Sequence, residues 1–257
     1  MQLQNLHTKR LGRTFLYFDT LDSTNNYLKE HAMELPDGTA VVAALQTAGK
    51  GRLGRNWKMQ SGDTLAISIL FRPAPIEDSS ILPLLSGMAT ARAITDLCGA
   101  NVQIKWPNDL VIGEKKVTGI LCESRIVGNS GFLISGIGVN THATAEYYQK
   151  CGLPYAGSIQ MCTGISVSHE KLACRILEHL ETIYDQYKKD GFQSLIEEYC
   201  SMCVNLGKEV RVIYQEHEVI GKAVSIREDG ALVVETDEGI IFVSSGEASV
   251  RGLYGYI

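Results

Sequence analysis

The chain has 257 residues, 45% of them hydrophobic and 21% charged, with 24 Lys and Arg against 29 Asp and Glu and a formal net charge of −5. That length can bury a real core and carry one large domain plus a small one, and the acidic balance excludes a broad nucleic-acid footprint. Seven scattered cysteines, no leader-like start and no apolar run long enough to cross a bilayer predict reduced thiols and a cytoplasmic location.

Residues 14–18 read as a short aromatic strand, and residues 26–35 have helical periodicity. Between them Asp22, Ser23 or Thr24 can cap the helix. The same turn, rich in hydroxyls and free N–H groups, also suits a small polar head group, and both readings can hold at once. Pro36-Asp37-Gly38 turns into a buried strand at 39–45, which ends at Gln46. An amide there both donates and accepts, so it suits a urea- or amide-like ligand group.

The stretch from Gln46 to Trp57 interleaves Gly49, Gly51 and Gly54 with Lys50, Arg52 and Arg55. Each glycine costs roughly 1 kcal/mol in conformational entropy. Wrapping an anion with backbone N–H groups and guanidinium forks is a reason to accept that cost. The spacing Gly49-x-Gly51-x-x-Gly54 matches the dinucleotide fingerprint, but that fingerprint needs a helix opening on it. Here Trp57, Gly62 and Asp63 lead instead into another strand at 65–71. No Gly-Lys-Ser or Gly-Lys-Thr is present to make a nucleotide P-loop. The loop is therefore expected between two strands, with a solvated basic hairpin as the alternative.

Arg72-Pro73-Ala74-Pro75 ends that strand, and 81–98 reads as a long helix whose small residues predict close packing on a sheet. Residues 103–112 run as a strand into Trp106-Pro107, where proline's missing N–H breaks the ladder. Lys105, Trp106, Asn108 and Asp109 then share one bend, although Asn-Asp at a turn is usually only turn chemistry. Gly113-Glu114-Lys115-Lys116 turns into a strand at 117–123, on which Gly119 permits close approach. A further strand at 132–139 leads to Asn140, and 141–163 reads as a mobile loop or lid. Helices follow at 168–189, with Ser168 as cap, and at 192–203; Cys200 and Cys203 in the latter read as packing rather than zinc or redox chemistry. Composition then shifts near Asn205 to short strands at 210–214, 219–226, 231–235, 239–243 and 248–251, a small SH3-like barrel.

Five ordered motifs together resemble those of the biotin–protein ligases over nearly the full length. They are Asp22-Ser23-Thr24-Asn25, the loop from Gln46 to Trp57, Lys105-Trp106-Pro107-Asn108-Asp109, the strand Lys116-Val-Thr-Gly119-Ile-Leu121, and Gly136-Ile-Gly138-Val-Asn140. The resemblance implies an α+β fold, with a catalytic domain related to class II aminoacyl-tRNA synthetases at 1–204 and an SH3-like domain at 205–257. It implies a two-step ligase. Biotin and MgATP give biotinyl-5′-AMP and pyrophosphate, and the biotinyl group then passes to a lysine of the biotin carboxyl carrier domain of a carboxylase. With roughly a dozen residues before the first strand, the DNA-binding domain and repressor role of some members are not expected. Neither nucleic acid nor membrane is an expected partner, and either a monomer or a homodimer is.

By the same resemblance, Ser23, Thr24, Asn25, Gln46, Lys50, Gly51, Arg52, Lys116, Gly119 and Leu121 surround biotin. Gly49, Lys50, Arg52, Arg55, Trp57, Asn108 and Asn140 hold ATP or the adenylate. Arg52, Lys116 and Asp109 are the catalytic candidates, with Asp109 as base or orienter of the acceptor amine, as a Mg²⁺ contact, or as a brace for the bend. No residue stands out as a dedicated metal ligand. Lys50 stands where many members have arginine and so lacks the bidentate fork. The nearest rival is a lipoate–protein ligase, and the rival of another class is a non-catalytic binding module. Gln46 suits a urea better than a dithiolane, and the module would be expected to have lost Lys116 or Arg52.

Overall fold

A computed structural model of the chain describes residues 1–73, 76–127, 130–214, 217–245, 248–252 and 256–257. Ala74 and Pro75, expected to end a strand, lie outside the described residues. In chain order the regular elements are β1 (Phe15–Leu21), α1 (Thr24–His31), β2 (Ala40–Gln46), β3 (Thr64–Phe71), α2 (Leu82–Cys98), β4 (Val102–Lys105), β5 (Asp109–Ile112), β6 (Lys115–Val127) and β7 (Ser130–Asn140). They continue with α3 (Ala145–Lys150), α4 (Ile159–Thr163), α5 (His169–Asp190), α6 (Ile196–Met202), β8 (Glu209–Tyr214), β9 (His217–Ile226), β10 (Leu232–Thr236), β11 (Gly239–Val243) and β12 (Ala248–Gly252).

The first sheet has seven strands in the order β1-β2-β3-β7-β6-β5-β4, with β1 and β2 parallel and the other neighbours antiparallel. The second is a five-stranded antiparallel sheet, β11-β10-β9-β8-β12. A mixed sheet with flanking helices followed by a small all-β domain is the architecture expected from the sequence.

Strand alternation divides the large sheet into two faces. On β3, Leu65, Ile67, Ile69 and Phe71 join the main core with Leu82, Leu85 and Ala89 of α2 and Leu172, Ile176 and Leu180 of α5. Each such side chain taken fully from water contributes on the order of 1.5–3 kcal/mol. The opposite face is covered only in part: α1 packs Leu28 against Val41, Leu70, Phe132 and Ile134. The rest of that face is left open for a site. Ser23 caps α1, its side chain accepting from the Asn26 N–H at 3.5 Å, and Ser168 caps α5 by accepting from Lys171 at 3.4 Å.

The segment 141–163 differs from the loop or lid expected. It forms α3 and α4, capped by Thr144 and Ser158. Helices of six and five residues are too short for a helical period to register in sequence. The segment is joined to β6, since the Lys116 N–H donates to the Tyr155 carbonyl at 2.8 Å and the Gly157 N–H to the Lys116 carbonyl at 2.9 Å. It is joined to α5 through Thr141, whose hydroxyl lies 2.6 Å from His169 Nε2, with the His142 ring 5.4 Å from the His169 ring.

Burial, and secondarily His142, push the His169 imidazole down to about 4, against a smaller opposing pull from Asp63. Its ordinary value is 6.5. The folded chain therefore keeps His169 neutral where the unfolded chain would protonate it, and this contribution to stability is present above pH 6.5 and is lost as pH falls toward 4. Melting temperatures measured across that window are expected to fall with pH in the wild type and to fall less steeply in His169→Gln, whose amide can still bond Thr141.

Candidate functional site

The open face of the sheet is paved with glycine. On β7, Ile137 and Val139 point to the core while Gly136 and Gly138 point the other way. On β6 the alternation is interrupted. Leu110 pairs with Thr118 but Val111 pairs with Lys116, so Val117 is an extra residue in the ladder. Such a bulge re-aims the side chains on either side of it. As a result Val117 and Ile120 both enter the core, and Lys116, Gly119 and Leu121 face the site. A Cβ at Gly136 would lie 2.1 Å from Asn25 Oδ1, one at Gly138 2.5 Å from the Trp57 ring, and one at Gly119 2.8 Å from the same ring. Asn25 and Trp57 thus lie directly on the sheet backbone.

Between them is a slot of about 60 Å³ whose lining includes Ser23, Thr24, Asn25, Gln46, Lys50, Trp57, Ala66, Gly119 and Leu121. Its polar groups are held by one another. Gln46 Oε1 accepts from the Thr24 N–H at 2.8 Å and from its hydroxyl at 3.1 Å. The Ser68 hydroxyl lies 2.7 Å from Thr24 Oγ1 and 2.6 Å from Asn25 Oδ1. Asn25 Nδ2 donates to the Leu121 carbonyl at 3.2 Å and to Glu123 at 2.9 Å. Lys50 Nζ donates to Asn26 Oδ1 at 2.5 Å.

The basic loop lies between β2 and β3, as expected, and folds as a closed hairpin. The Gly51 N–H donates to the Arg55 carbonyl at 2.7 Å and the Trp57 N–H to the Gly49 carbonyl at 2.9 Å. The Trp57 Nε1–H is buried with no hydrogen-bond partner among the described residues. Gly51, Arg52, Trp57, Asn108 and Lys116 line the slot and also a second chamber of about 280 Å³. That chamber is further lined by Arg55, Lys105, Asp109, Asn140, Tyr148, Leu153, Tyr155, Arg251 and Tyr256.

Charge in the chamber is arranged around Asp109. Lys116 Nζ is 2.6 Å from Asp109 Oδ1, and the Tyr256 hydroxyl donates to Asp109 Oδ2. Burial pushes the Asp109 carboxyl up, but Lys116 and Lys105 together with these donors hold it below the usual carboxylate range. Lys105 donates to the Val250 carbonyl at 2.9 Å, and burial pushes its ammonium down to about 8 despite the attraction of Asp109. Arg52 is lowered by burial as well; its guanidinium donates to Asn108 Oδ1 at 2.9 Å and to the Ser245 carbonyl. Asn108 returns a bond to β6 through the Ile120 carbonyl at 2.9 Å. No group of three or more His, Cys, Asp or Glu able to hold a metal ion occurs among the described residues. A small slot opening onto a cationic chamber suits an organic molecule with an uncharged body in the slot and an anionic end at the cations.

All ten residues expected around the apolar ligand line the slot, and Arg52, Arg55, Trp57, Asn108 and Asn140 line the chamber. Lys50 lines only the slot, and Gly49 lines neither: a Cβ there would lie 2.7 Å from the Trp57 carbonyl, so glycine at this position closes the hairpin. Sequence reasoning missed Ser68, Tyr155 and Tyr256. Ser68 carries the ordinary signature of a strand position, and the tyrosines lie in a stretch without periodicity and beyond the last strand.

The profile of the Biotin/lipoate A/B protein ligase family matches residues 17–140, and that of the Biotin protein ligase C terminal domain matches residues 206–251. The bifunctional ligase/repressor BirA of Bacillus subtilis is 32% identical over 94% of this chain and 75% of its own length. The biotin--[acetyl-CoA-carboxylase] ligase of Mycobacterium tuberculosis is 28% identical over 82% of this chain and 78% of its own. The structure of the biotin protein ligase from Aquifex aeolicus in complex with biotin and ATP superposes with a TM-score of 0.82 at 31% identity, covering 93% of this chain and 99% of that one. The chain belongs to the biotin/lipoate A/B protein ligase family and is a biotin–protein ligase.

Proposed function

We propose that the chain uses ATP to activate biotin as biotinyl-5′-AMP and then transfers biotin to a lysine of a biotin carboxyl carrier domain. The observation that carries this reading is the meeting of the two cavities at shared cations: Arg52 and Lys116 line both. The ureido ring of biotin is polar and uncharged and its body is apolar, so it needs a few hydrogen bonds in an apolar slot. Ser23, Thr24, Asn25 and Gln46 supply the bonds, and Gly119 and Leu121 line the slot beneath Trp57. The carboxylate then points to Arg52 and Lys116, where ATP presents its α-phosphate; Lys50 and Arg55 contact the anions, and Trp57, Asn108 and Asn140 hold the nucleotide. No protein nucleophile is required. Cys122, on the core face of β6, has its thiol pushed up to about 12 by burial and stays protonated.

Positive charge preorganised where two anions meet is the main catalytic contribution of such a site. Mg²⁺ bound with ATP supplies further neutralisation of the phosphates. Ions of this kind are usually held through one or two carboxylates plus substrate phosphates, and Asp109 is the one carboxylate lining the chamber among the described residues. In the second step the acceptor amine, with an ordinary pKa of about 10.4, is mostly protonated at neutral pH. Asp109 orients it and takes the proton. The proposal includes the division at 204/205, supported by the matched C-terminal profile beginning at residue 206. It assigns no repressor role, in keeping with the net charge of −5.

ATP–pyrophosphate exchange measured in parallel with biotin and with lipoate tests the substrate. Exchange with biotin alone is expected; exchange with lipoate alone would overturn the substrate, and exchange with neither would overturn the ligase reading for a folded protein. Lys116→Ala and Arg52→Ala are each expected to slow exchange about 10²–10³-fold. Asp109→Asn is expected to slow transfer from preformed biotinyl-5′-AMP to a carrier domain. An unchanged transfer rate would remove Asp109 as the base.

A further inference from the structure

Tyr256 lines the chamber and touches Asp109 directly, yet this mechanism gives it no task. Its hydroxyl donates to Asp109 Oδ2 while Lys116 Nζ holds Oδ1 at 2.6 Å. Its ring stacks on Tyr155 with centroids 4.6 Å apart and planes 5° from parallel. Lys105 Nζ lies 4.4 Å from the centroid of the same ring. Asp109 Oδ2 is thus hydrogen-bonded to the tyrosine, while Oδ1 faces the Lys116 ammonium as an ion pair and has no hydrogen bond among the described residues. A carboxylate stabilised in its charged form by donors and nearby cations is a poor proton acceptor. Resting on the ligase reading above, we propose that Tyr256 is a resident competitor of the acceptor lysine and sets the specificity of the transfer step: its hydroxyl stands where the incoming amine must reach Asp109, and Tyr155 is the platform that receives the lysine stem when Tyr256 leaves.

The two occupants present the same chemistry to the subsite. Tyr256 offers an apolar ring ending in an O–H donor, and the acceptor lysine offers an apolar stem ending in an N–H donor. A flat aromatic face beside a carboxylate oxygen accommodates either. Of the two bonds on Asp109, that from Lys116 is an ion pair and that from Tyr256 comes from a neutral hydroxyl. Breaking a buried ion pair leaves uncompensated charge, whereas releasing the tyrosine leaves a neutral hydroxyl, so an arriving amine displaces Tyr256 rather than Lys116. An amine beside Lys105 and Lys116 also meets like charge and burial, conditions that favour its neutral, nucleophilic form.

In the transfer itself the amine nitrogen attacks the acyl carbon of biotinyl-5′-AMP. The C–N bond forms, the bond from the acyl carbon to the phosphate oxygen breaks, and AMP leaves with that electron pair. The amine proton passes to Asp109 and then to water. While Tyr256 occupies Oδ2 and the Lys116 ammonium faces Oδ1, the amine cannot reach the carboxylate, so a small amine that cannot displace the tyrosine is refused. A carrier domain, which brings a whole binding surface, displaces it.

The test uses the full chain and two variants, Tyr256→Phe and Tyr256→Ala. Single-turnover transfer from preformed biotinyl-5′-AMP is followed with an apo carrier domain and with Nα-acetyl-lysine, alongside ATP–pyrophosphate exchange. In Tyr256→Phe the ratio of transfer to Nα-acetyl-lysine over exchange is expected to rise about tenfold, equivalent to about 1.4 kcal/mol, and the carrier KM to fall. Tyr256→Ala is expected to move both in the same direction. A ratio that stays at the wild-type value, or falls, overturns the proposal; a fall would make the hydroxyl a support for Asp109. Calorimetric binding of the apo carrier domain needs no turnover. A dissociation constant about tenfold lower in Tyr256→Phe supports the competitor role, and an equal one, or no binding by any variant, overturns it. Wild-type protein without exchange would count against the ligase reading, while the calorimetry still decides Tyr256.

Discussion

The absence of side chains along one strip of the large sheet is the constraint on which the site depends. Gly119, Gly136 and Gly138 lie side by side across β6 and β7, with Gly119 paired to Gly138 and Leu121 to Gly136. At each glycine a Cβ would come within 2.8 Å of Asn25 or Trp57. Real Cβ atoms do not approach that closely, so any larger residue must push the indole or the amide off the sheet. Glycine in a strand interior weakens the strand and marks a place where something approaches the backbone closely. Here the cost is spread over the two longest strands of the sheet, which the surrounding core of β3, α2 and α5 holds in place.

On that floor the electrostatics reduce to a surplus of cations around one carboxylate. Lys105, Lys116, Arg52 and Arg55 all line the chamber with Asp109. The shifts record burial first: desolvation lowers Arg52 and Lys105, like charge adds a smaller push in the same direction, and Asp109 is held ionised by the lysines beside it. Cations already desolvated by burial interact more strongly with an anion than cations in water do. The pair Lys116–Asp109 then has two uses. It keeps the carboxylate charged before the ligand arrives, and it holds Lys116 at the junction of slot and chamber.

Much of this was legible in the chain. The glycine-arginine loop between strands, the bend at Trp106-Pro107, the capped helix after Ser23 and the five short C-terminal strands all follow from local rules and fall within a few residues of where those rules place them. The residues that line the slot were legible as motifs because each motif is local. What sequence could not show was the parity of β6. Val117 and Ile120 are three apart, a spacing that puts strand residues on opposite faces, and only the bulge opposite Leu110 and Val111 brings both to the core. Nor could it show that Gln46 is engaged with Thr24, or that Tyr155 and Tyr256 meet, because those contacts join segments with no shared pattern.

The C-terminal domain is tied into the same chamber by groups that leave the large sheet at its bend. Trp106 Nε1 donates to the Gly230 carbonyl at 3.1 Å, its backbone N–H to Asn205 Oδ1 at 2.8 Å, and Lys105 to the Val250 carbonyl at 2.9 Å. Arg52 reaches the Ser245 carbonyl from the glycine-rich loop on the other side. Buried donors without acceptors cost about 1–3 kcal/mol each, and the small domain supplies the acceptors for Lys105 and Trp106. The bend therefore needs the small domain as much as the small domain needs an anchor. Arg52 therefore joins three parts of the fold: the glycine-rich loop, Asn108 at the bend and the C-terminal domain.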